Sequence, residues 1–418
     1  MAKKSVYAAL EISDREVRLV VSEIFNDRSN ILRVECAGHN GIKGSKISDE
    51  KEVVKAIEQV VKQAQIALGY RIERVLLAIP ALAVRPVNNK VHVEIEDGTH
   101  TIRRFHLQQG LKSAMANQTF ENEEFVNVNR IECFVDGIRQ DRIPLGMDTD
   151  EFDMEVDLLY ADKETVYSYV ATVEKAGLQV LDIILDIYGA AKETGALFQS
   201  EQTPVVLVDL EADHTTLAFL NHNRLGFSTI LEKGYASFIA SLQEEYGLSE
   251  ASSWRLLENL FDEREMDADD VVIYIEQKDD QRIEISRRQL AEAVLPKIRG
   301  WIADLNAGCA GILESTPFTY LITGQGSSIP VLKQFDKAFN APASVYSVTA
   351  IGARNGAFVV PLGMIYAWDD INKLDNKDQT SVNNNELEES IESITRYAKD
   401  QEGGFTRKLK KAMLSSKE

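Results

Sequence analysis

Two stretches about 200 residues apart place carboxylates at matched positions. Residues 7–23, YAALEISDREVRLVVSE, carry an apolar run that ends at Glu11 and a polar turn holding Ser13 and Asp14. Residues 204–220, PVVLVDLEADHTTLAFL, repeat the arrangement with Asp209, and their turn holds Glu211, Asp213 and His214. In each, a second apolar run starts six positions after the first carboxylate, at Val17 and at Thr215. A β-branched run broken by a short polar cluster is the signature of a hairpin at the centre of a sheet. Two copies at this separation predict a duplicated α/β domain facing itself across a cleft, with the acidic turns pointing inward.

The C-terminus offers a different chemistry. Phe405, Leu409, Ala412, Met413 and Ser416 fall on one helical face, with Arg407, Lys408, Lys410 and Lys411 beside and opposite it. An apolar stripe with basic flanks suits a membrane interface. Burying Phe, Leu and Met gives at most about 1.5–3 kcal/mol each, and each cation near an anionic leaflet adds about 1 kcal/mol. So short a helix is not stable alone in water; one copy is expected to hold transiently, several copies on a polymer to hold well.

Five basic residues against Glu418 give residues 403–418 a net +4 on a chain of −20, leaving −24 for the rest. That acidic body argues against nucleic acid as a partner. No Ser/His/Asp or Cys/His arrangement is recognisable. His39, His92, His100, His106, His214 and His222 lack metal-ligand spacing, those at 92, 100 and 106 fall in the 85–161 stretch, and a solvated surface is expected for the six. Cys36, Cys133 and Cys309 lack the pairing of a disulfide framework or a zinc site. No apolar run approaches the about 18–20 residues of a spanning helix, and no signal-peptide core is present. A reducing, cytosolic setting is expected.

The elements that must position these groups follow from periodicity. With 418 residues and 44 % hydrophobic content, the chain has room for about two or three domains. Residues 48–69 predict a helix with Asp49 and Glu52 as a capping pair and Gly69 as its stop, and residues 74–80 a buried strand. Residues 85–161 change texture: half-exposed strands at 91–95 and 126–133, an amphipathic helix at 105–117, and a hairpin at 134–147 turning at Asp136-Gly137. They predict an inserted α+β subdomain. A helix (165–176), a strand (180–187) and a small-residue helix (189–198) lead into the second hairpin. Beyond it come helices at 235–246 and 250–261, a strand pair at 271–275 and 282–285, and a long helix at 286–313 kinked at Pro296. A buried strand at 319–323 ends in Gly324-Gln325-Gly326. Trp368 is expected to close the folded body, with the Asn/Asp/Glu-rich residues 369–402 as a disordered linker reaching about 30 Å.

The paired hairpins, the glycine-containing junction and this order of elements resemble the actin/Hsp70/sugar-kinase superfamily. Three stretches are similar to FtsA, the bacterial actin-like cell-division family: the insertion with FVDGIRQDRIPLGM at 134–147, VVPLGMIYA at 359–367, and the tail GGFTRKLKKAMLSS. The resemblance implies an actin-like (RNase H-like) fold of duplicated domains around a cleft. Residues 1–84 and 162–198 would form subdomain 1A, 85–161 the inserted subdomain 1C, 199–231 and 291–368 subdomain 2A, and 232–290 subdomain 2B. The linker 369–402 and an amphipathic membrane-targeting helix at 403–418 would follow.

The resemblance also implies a nucleotide site at Glu11, Ser13, Asp14, Asp209, Glu211, Asp213, Gly324 and Gly326. Such folds hold the phosphates of ATP or ADP on turn N–H groups, where glycine permits close approach, and Mg through the water shell of Asp209. The family's turns resemble L-D-x-G-T-[ST] and D-x-G-G-G-T. Here they are Leu10-Glu11-Ile12-Ser13-Asp14-Arg15 and Asp209-Leu210-Glu211-Ala212-Asp213-His214. A third segment, T-x-D-I-A in the family, is Ala236-Ser237-Phe238-Ile239-Ala240. Only the adenosine-side glycines survive. A carboxylate about 4 Å from a phosphate oxygen costs ~4 kcal/mol at an effective dielectric of 20, so weakened or lost nucleotide binding without efficient hydrolysis is expected.

By the same resemblance the protein would polymerise and tether the ring of FtsZ, a tubulin-like protein, to the cytoplasmic face of the membrane at the division site. Phe405, Arg407, Lys408, Leu409, Lys411, Ala412 and Met413 would touch anionic lipid, Arg287 and Arg288 would meet FtsZ, and other division proteins would be further partners. Two alternatives are an ATP-hydrolysing enzyme of the superfamily and a pilus-assembly actin-like scaffold.

Overall fold

The computed structural model describes residues 5–26, 28–116, 120–260, 271–278, 281–375 and 379–383. Two five-stranded sheets share one topology. The first is ordered Gln179–Leu185, Arg74–Ile79, Ser5–Ile12, Glu16–Phe25, Arg28–Gly38, and the second Ala343–Val345, Thr319–Thr323, Val205–Leu210, Thr215–Asn221, Arg224–Leu231. Each is an antiparallel meander whose first strand takes two parallel strands on its free edge. The registers agree as well: Glu11 opposes Arg18 and Ile12 opposes Val17, while Asp209 opposes Thr216 and Leu210 opposes Thr215. Both central hairpins therefore close over turns of the same length, and the fold is a duplicated α/β arrangement of actin type.

Local chemistry accounts for the elements. Val205–Leu210 is buried at every residue, as a strand covered on both faces must be. Asp49 caps the helix Glu50–Leu68 by accepting from the N–H groups of Lys51 and Glu52, and Gly69 ends it in the left-handed region at φ 76°. Glu52 turns to Lys55 at 3.0 Å instead of completing a capping box. Ser286 and Gln289 form a reciprocal box at the start of Arg287–Ser315, which carries Pro296 within it. The residue 189–198 segment forms two helices, Asp186–Glu193 and Ala196–Gln199, because Gly195 breaks it at φ 69°.

The insertion builds its own four-stranded sheet, Arg85–Glu94, Glu151–Asp162, Glu123–Val135 and Ile138–Arg139, backed by the helix Arg104–Ala116. Its second strand was not expected, yet Phe152, Met154, Val156, Leu158 and Tyr160 alternate inward along it. Asn129 locks the insertion to the second lobe, donating to the Leu225 carbonyl and accepting from its N–H, both at 2.9 Å. Of the histidines expected on a solvated surface, His39 is buried, His214 packs against Asp14, and His106 departs furthest. It is 1 % exposed, with Nδ1 accepting from the Arg103 N–H at 3.1 Å, because it lies on the inward face of its helix.

The folded body does not close at Trp368. The helix Val359–Asp375 continues, and Ile371 and Leu374 extend its apolar stripe onto the inserted subdomain. The Leu374 carbonyl accepts from Gln108 at 3.0 Å. Further on, Ser381 donates its N–H to the Val6 carbonyl at 2.9 Å, accepts the Ala8 N–H on its hydroxyl at 2.8 Å, and Val382 pairs with Ile72. Residues 369–375 and 379–383 of the expected linker thus pack on the insertion and on the first lobe. Residues 384–418, which hold the tail, lie outside the described residues. Among the described residues no helix is long and apolar enough to cross a membrane. Replacing Ser381 with alanine strands the buried Ala8 N–H and is expected to cost about 1–3 kcal/mol, read from chemical denaturation; an unchanged midpoint would show this contact to be dispensable.

Candidate functional site

The two central hairpins meet tip to tip. In the first turn the Ser13 N–H donates to the Glu16 carbonyl at 2.9 Å, and in the second the Glu211 N–H donates to His214 at 3.0 Å. Between them lies Arg18, 1 % exposed, from the strand facing Glu11. Its Nη1 and Nη2 donate to the two oxygens of Glu211 at 3.1 and 2.7 Å. Nη2 also donates to Gln325 Oε1 at 3.0 Å, while Glu11 and Glu16 approach at 3.5 and 3.4 Å. The Glu211 carboxylate further accepts the Gln325 N–H at 3.1 Å, and the Tyr235 hydroxyl donates to Gln325 Oε1 at 2.7 Å.

A second set runs the other way. The carboxylate of Asp14, on the first lobe, accepts the N–H of Asp213 at 2.8 Å and faces the His214 ring at 2.7 Å on the second. At the rim Arg15 grips Asp213 and Glu250; being a third exposed, it contributes little to stability.

Burial works against every charge here, so each must be compensated. For Arg18 it is outweighed by Glu211 and Glu11, which hold the guanidinium firmly protonated. For Asp14 it is outweighed by the His214 contact and the Asp213 N–H, leaving the carboxyl below its usual range. His214 is lifted to about 9 in spite of its burial, chiefly by the Asp14 hydrogen bond. The remaining carboxyls are compensated less: Asp186 accepts the N–H groups of Ala81 and Ile187, and Glu11 has only the longer contact to Arg18. Burial, with Glu211 nearby, pushes Asp209 well up, and Asp209 Oδ1 has no hydrogen-bond partner. Glu11 is raised well above its usual value by burial against the pull of Arg18, and Asp186 to about 6 by burial.

The residues present do not fit a nucleotide with its metal. The void among Glu11, Asp14, Tyr169, Asp186, Asp209 and His214 measures ≈ 20 Å³, room for a water and not for a phosphate chain. A wider cleft of ≈ 770 Å³, lined by Lys43, Leu82, Asp213, His214, Thr229 and Glu232, touches neither Arg18 nor the glycine pair. The surviving glycines have an internal use: a Cβ on Gly326 would lie 2.4 Å from Leu210 Cγ, and one on Gly324 2.6 Å from Asp209 Oδ1. Phe238, where the family resemblance places an acid, is fully buried against Trp301 at 5.8 Å between ring centroids. Among the described residues no group of three or more His, Cys, Asp or Glu could hold a metal ion.

Glu11, Ser13, Asp14, Asp209 and Glu211 are thus brought together and buried, with Asp213 exposed at their rim. Arg287 and Arg288 begin the helix Arg287–Ser315, next to the strands Val272–Lys278 and Gln281–Ser286, and the tail residues lie outside the described chain. Arg15, Arg18, Asp186, His214, Tyr235 and Gln325 are site residues that the sequence reading does not single out. A signal existed for one of them: Arg18 is a lone cation in the middle of a β-branched strand.

The fold is of actin type. No protein-family model matches the chain. The chain is FtsA-like: it is similar to the cell division protein FtsA of Enterococcus hirae, 22 % identical over 87 % of this chain and 83 % of that one, and of Bacillus subtilis, 21 % identical over 87 % and 84 %. The FtsA of Streptococcus pneumoniae is 28 % identical over 56 % of this chain, and that match spans about half of the relative, 51 %. Among solved structures, one described as the PilM-PilN type IV pilus biogenesis complex aligns with a TM-score of 0.56 at 12 % identity, covering 86 % of this chain and 98 % of that one. MreB5 of Spiroplasma citri bound to ADP aligns at 0.49 and 12 %, covering 89 % and 99 %.

Replacing Arg18 with methionine leaves Glu211 buried without its counter-charge and should cost about 3–5 kcal/mol in denaturant titration. The sign for His214 follows from its raised value: its contribution is complete below an unfolded pKa of about 6.5 and is lost as pH rises through about 9. Asp14, depressed, contributes above its unfolded value and fails only in acid. The thermal midpoint should therefore fall between about pH 6 and pH 9 by the equivalent of about 3 kcal/mol, and His214→Gln should flatten that fall.

Proposed function

We propose that this protein is a cell-division scaffold of FtsA type that works without turning over nucleotide. It assembles with copies of itself, binds FtsZ through its second half, and holds the assembly to the cytoplasmic face of the membrane through residues 403–418. The observation that carries this is the similarity to FtsA proteins along most of both chains. Nucleotide turnover is set aside because Arg18, Glu211 and Gln325 fill the phosphate side of the cleft with the protein's own groups. The likeness to PilM extends to the fold and supports no pilus role.

The tail suits its part energetically. Phe405, Leu409 and Met413 supply about 1.5–3 kcal/mol each if buried, while folding the helix takes back much of that. A single copy binds weakly and a polymer binds firmly. Arg287 and Arg288 present cations to the acidic peptide expected of FtsZ.

In liposome co-sedimentation with vesicles containing anionic lipid, the full chain should pellet and carry FtsZ with it. A chain lacking residues 403–418 should leave both in the supernatant; equal pelleting would overturn the tether. Phosphate release from Mg-ATP should stay at background, and brisk release would restore the enzyme alternative.

A further inference from the structure

The misfit of a nucleotide to this cleft has a positive counterpart. Three N–H donors converge on the Glu211 carboxylate: Arg18 Nη1 on Oε1 at 3.1 Å, the Gln325 backbone N–H on the same oxygen at 3.1 Å, and Arg18 Nη2 on Oε2 at 2.7 Å. The carboxylate is 3 % exposed and Arg18 1 %. A forked guanidinium together with a backbone N–H at a glycine junction is the arrangement by which proteins hold phosphate and sulfate. The donors belong to both lobes, Arg18 to the first and Gln325 to the second, so whatever anion they grip bridges the cleft. In the opposite sense Asp14 offers its carboxylate to the Asp213 N–H and the His214 ring. Each turn hands the other an anion.

We propose that Arg18 and the Gln325 N–H form an oxyanion seat, that Glu211 is its resident anion, and that this internal ligand, seconded by Asp14, keeps the two lobes closed with no nucleotide bound. An anion attached to the chain competes at a very high effective concentration, so free phosphate does not displace it. Removing the Glu211 side chain empties the seat and leaves Arg18 in place, and the site becomes a receptor for inorganic phosphate. None of this depends on membrane or FtsZ binding, and failure of the liposome experiment would leave it standing.

The test compares the parent chain with Glu211→Ala by thermal unfolding and small-angle scattering, in sodium phosphate and in sodium chloride of matched ionic strength. In chloride the variant should unfold earlier and scatter as a more open particle. Phosphate should close it again and raise its midpoint by about 2 °C at ten times the dissociation constant, with no specific shift in the parent. Adding Arg18→Met to the variant should abolish the phosphate response. A folded Glu211→Ala protein that stays closed in chloride, or gains no more from phosphate than the parent, overturns the proposal. Should that variant not fold, Glu211→Gln keeps the shape and loses the charge. It should open and unfold earlier, and a closed particle with the parent's midpoint would equally overturn it.

Discussion

A guanidinium buried between two lobes sets the terms for what surrounds it. Taking Arg18 out of water is costly and is offset only by carboxylates brought close in good geometry. Glu211 supplies this in the two-pronged form that suits a guanidinium, and Gln325 takes the remaining Nη2 donor. One cation cannot neutralise every acid nearby. Glu11 and Asp209, with weaker or no direct partners, are pushed toward their protonated forms by burial. The acidic cleft that looks self-repelling in the sequence is thus two ion pairs, Arg18 with Glu211 and His214 with Asp14, beside carboxyls at Glu11, Asp186 and Asp209 whose charge is suppressed.

The duplicated sheets make that pair a statement about the whole molecule. Because the hairpins share register and turn length, the two tips arrive at the same level, and a contact between them fixes one lobe against the other. The insertion reinforces this from the side, through Asn129 and through Asp157, which holds both Arg130 at 2.9 Å and Arg224 at 3.3 Å. The strap formed by the last helix and Ser381 then binds the insertion and the first sheet together. The turns hold side chains where glycine would leave room, and Glu211 and Asp14 use that position to reach across to buried partners.

The charge of the chain divides the same way. A net −24 over the body against +4 on residues 403–418 confines attraction toward an anionic surface to one end, and screening over about 8 Å at physiological salt lets that end act apart from the body.

Much of the scaffold was legible from local pattern. The continuous apolar runs of residues 205–210 and 319–323, the helix caps at Asp49 and Ser286, and the repeated carboxylate–turn–strand spacing are each set by near neighbours. From them the two-lobed α/β plan and the absence of turn glycines followed directly. The alternation of Phe152, Met154, Val156 and Leu158 marks the strand Glu151–Asp162 in the same local way. The strap was hidden because Asn- and Asp-rich composition reads as coil, and its order comes from Val6, Ala8, Ile72 and Gln108, far away along the chain. The partners of Arg18 were out of reach for the same reason. Glu211 is 193 positions away and Gln325 307, and periodicity carries no information about which side chains from two separate lobes will face each other. The sequence by itself determined that the turns are acidic and without glycine. Only the tertiary structure decided that their charges are paired across the cleft, because pairing depends on distances that closure of the two lobes creates.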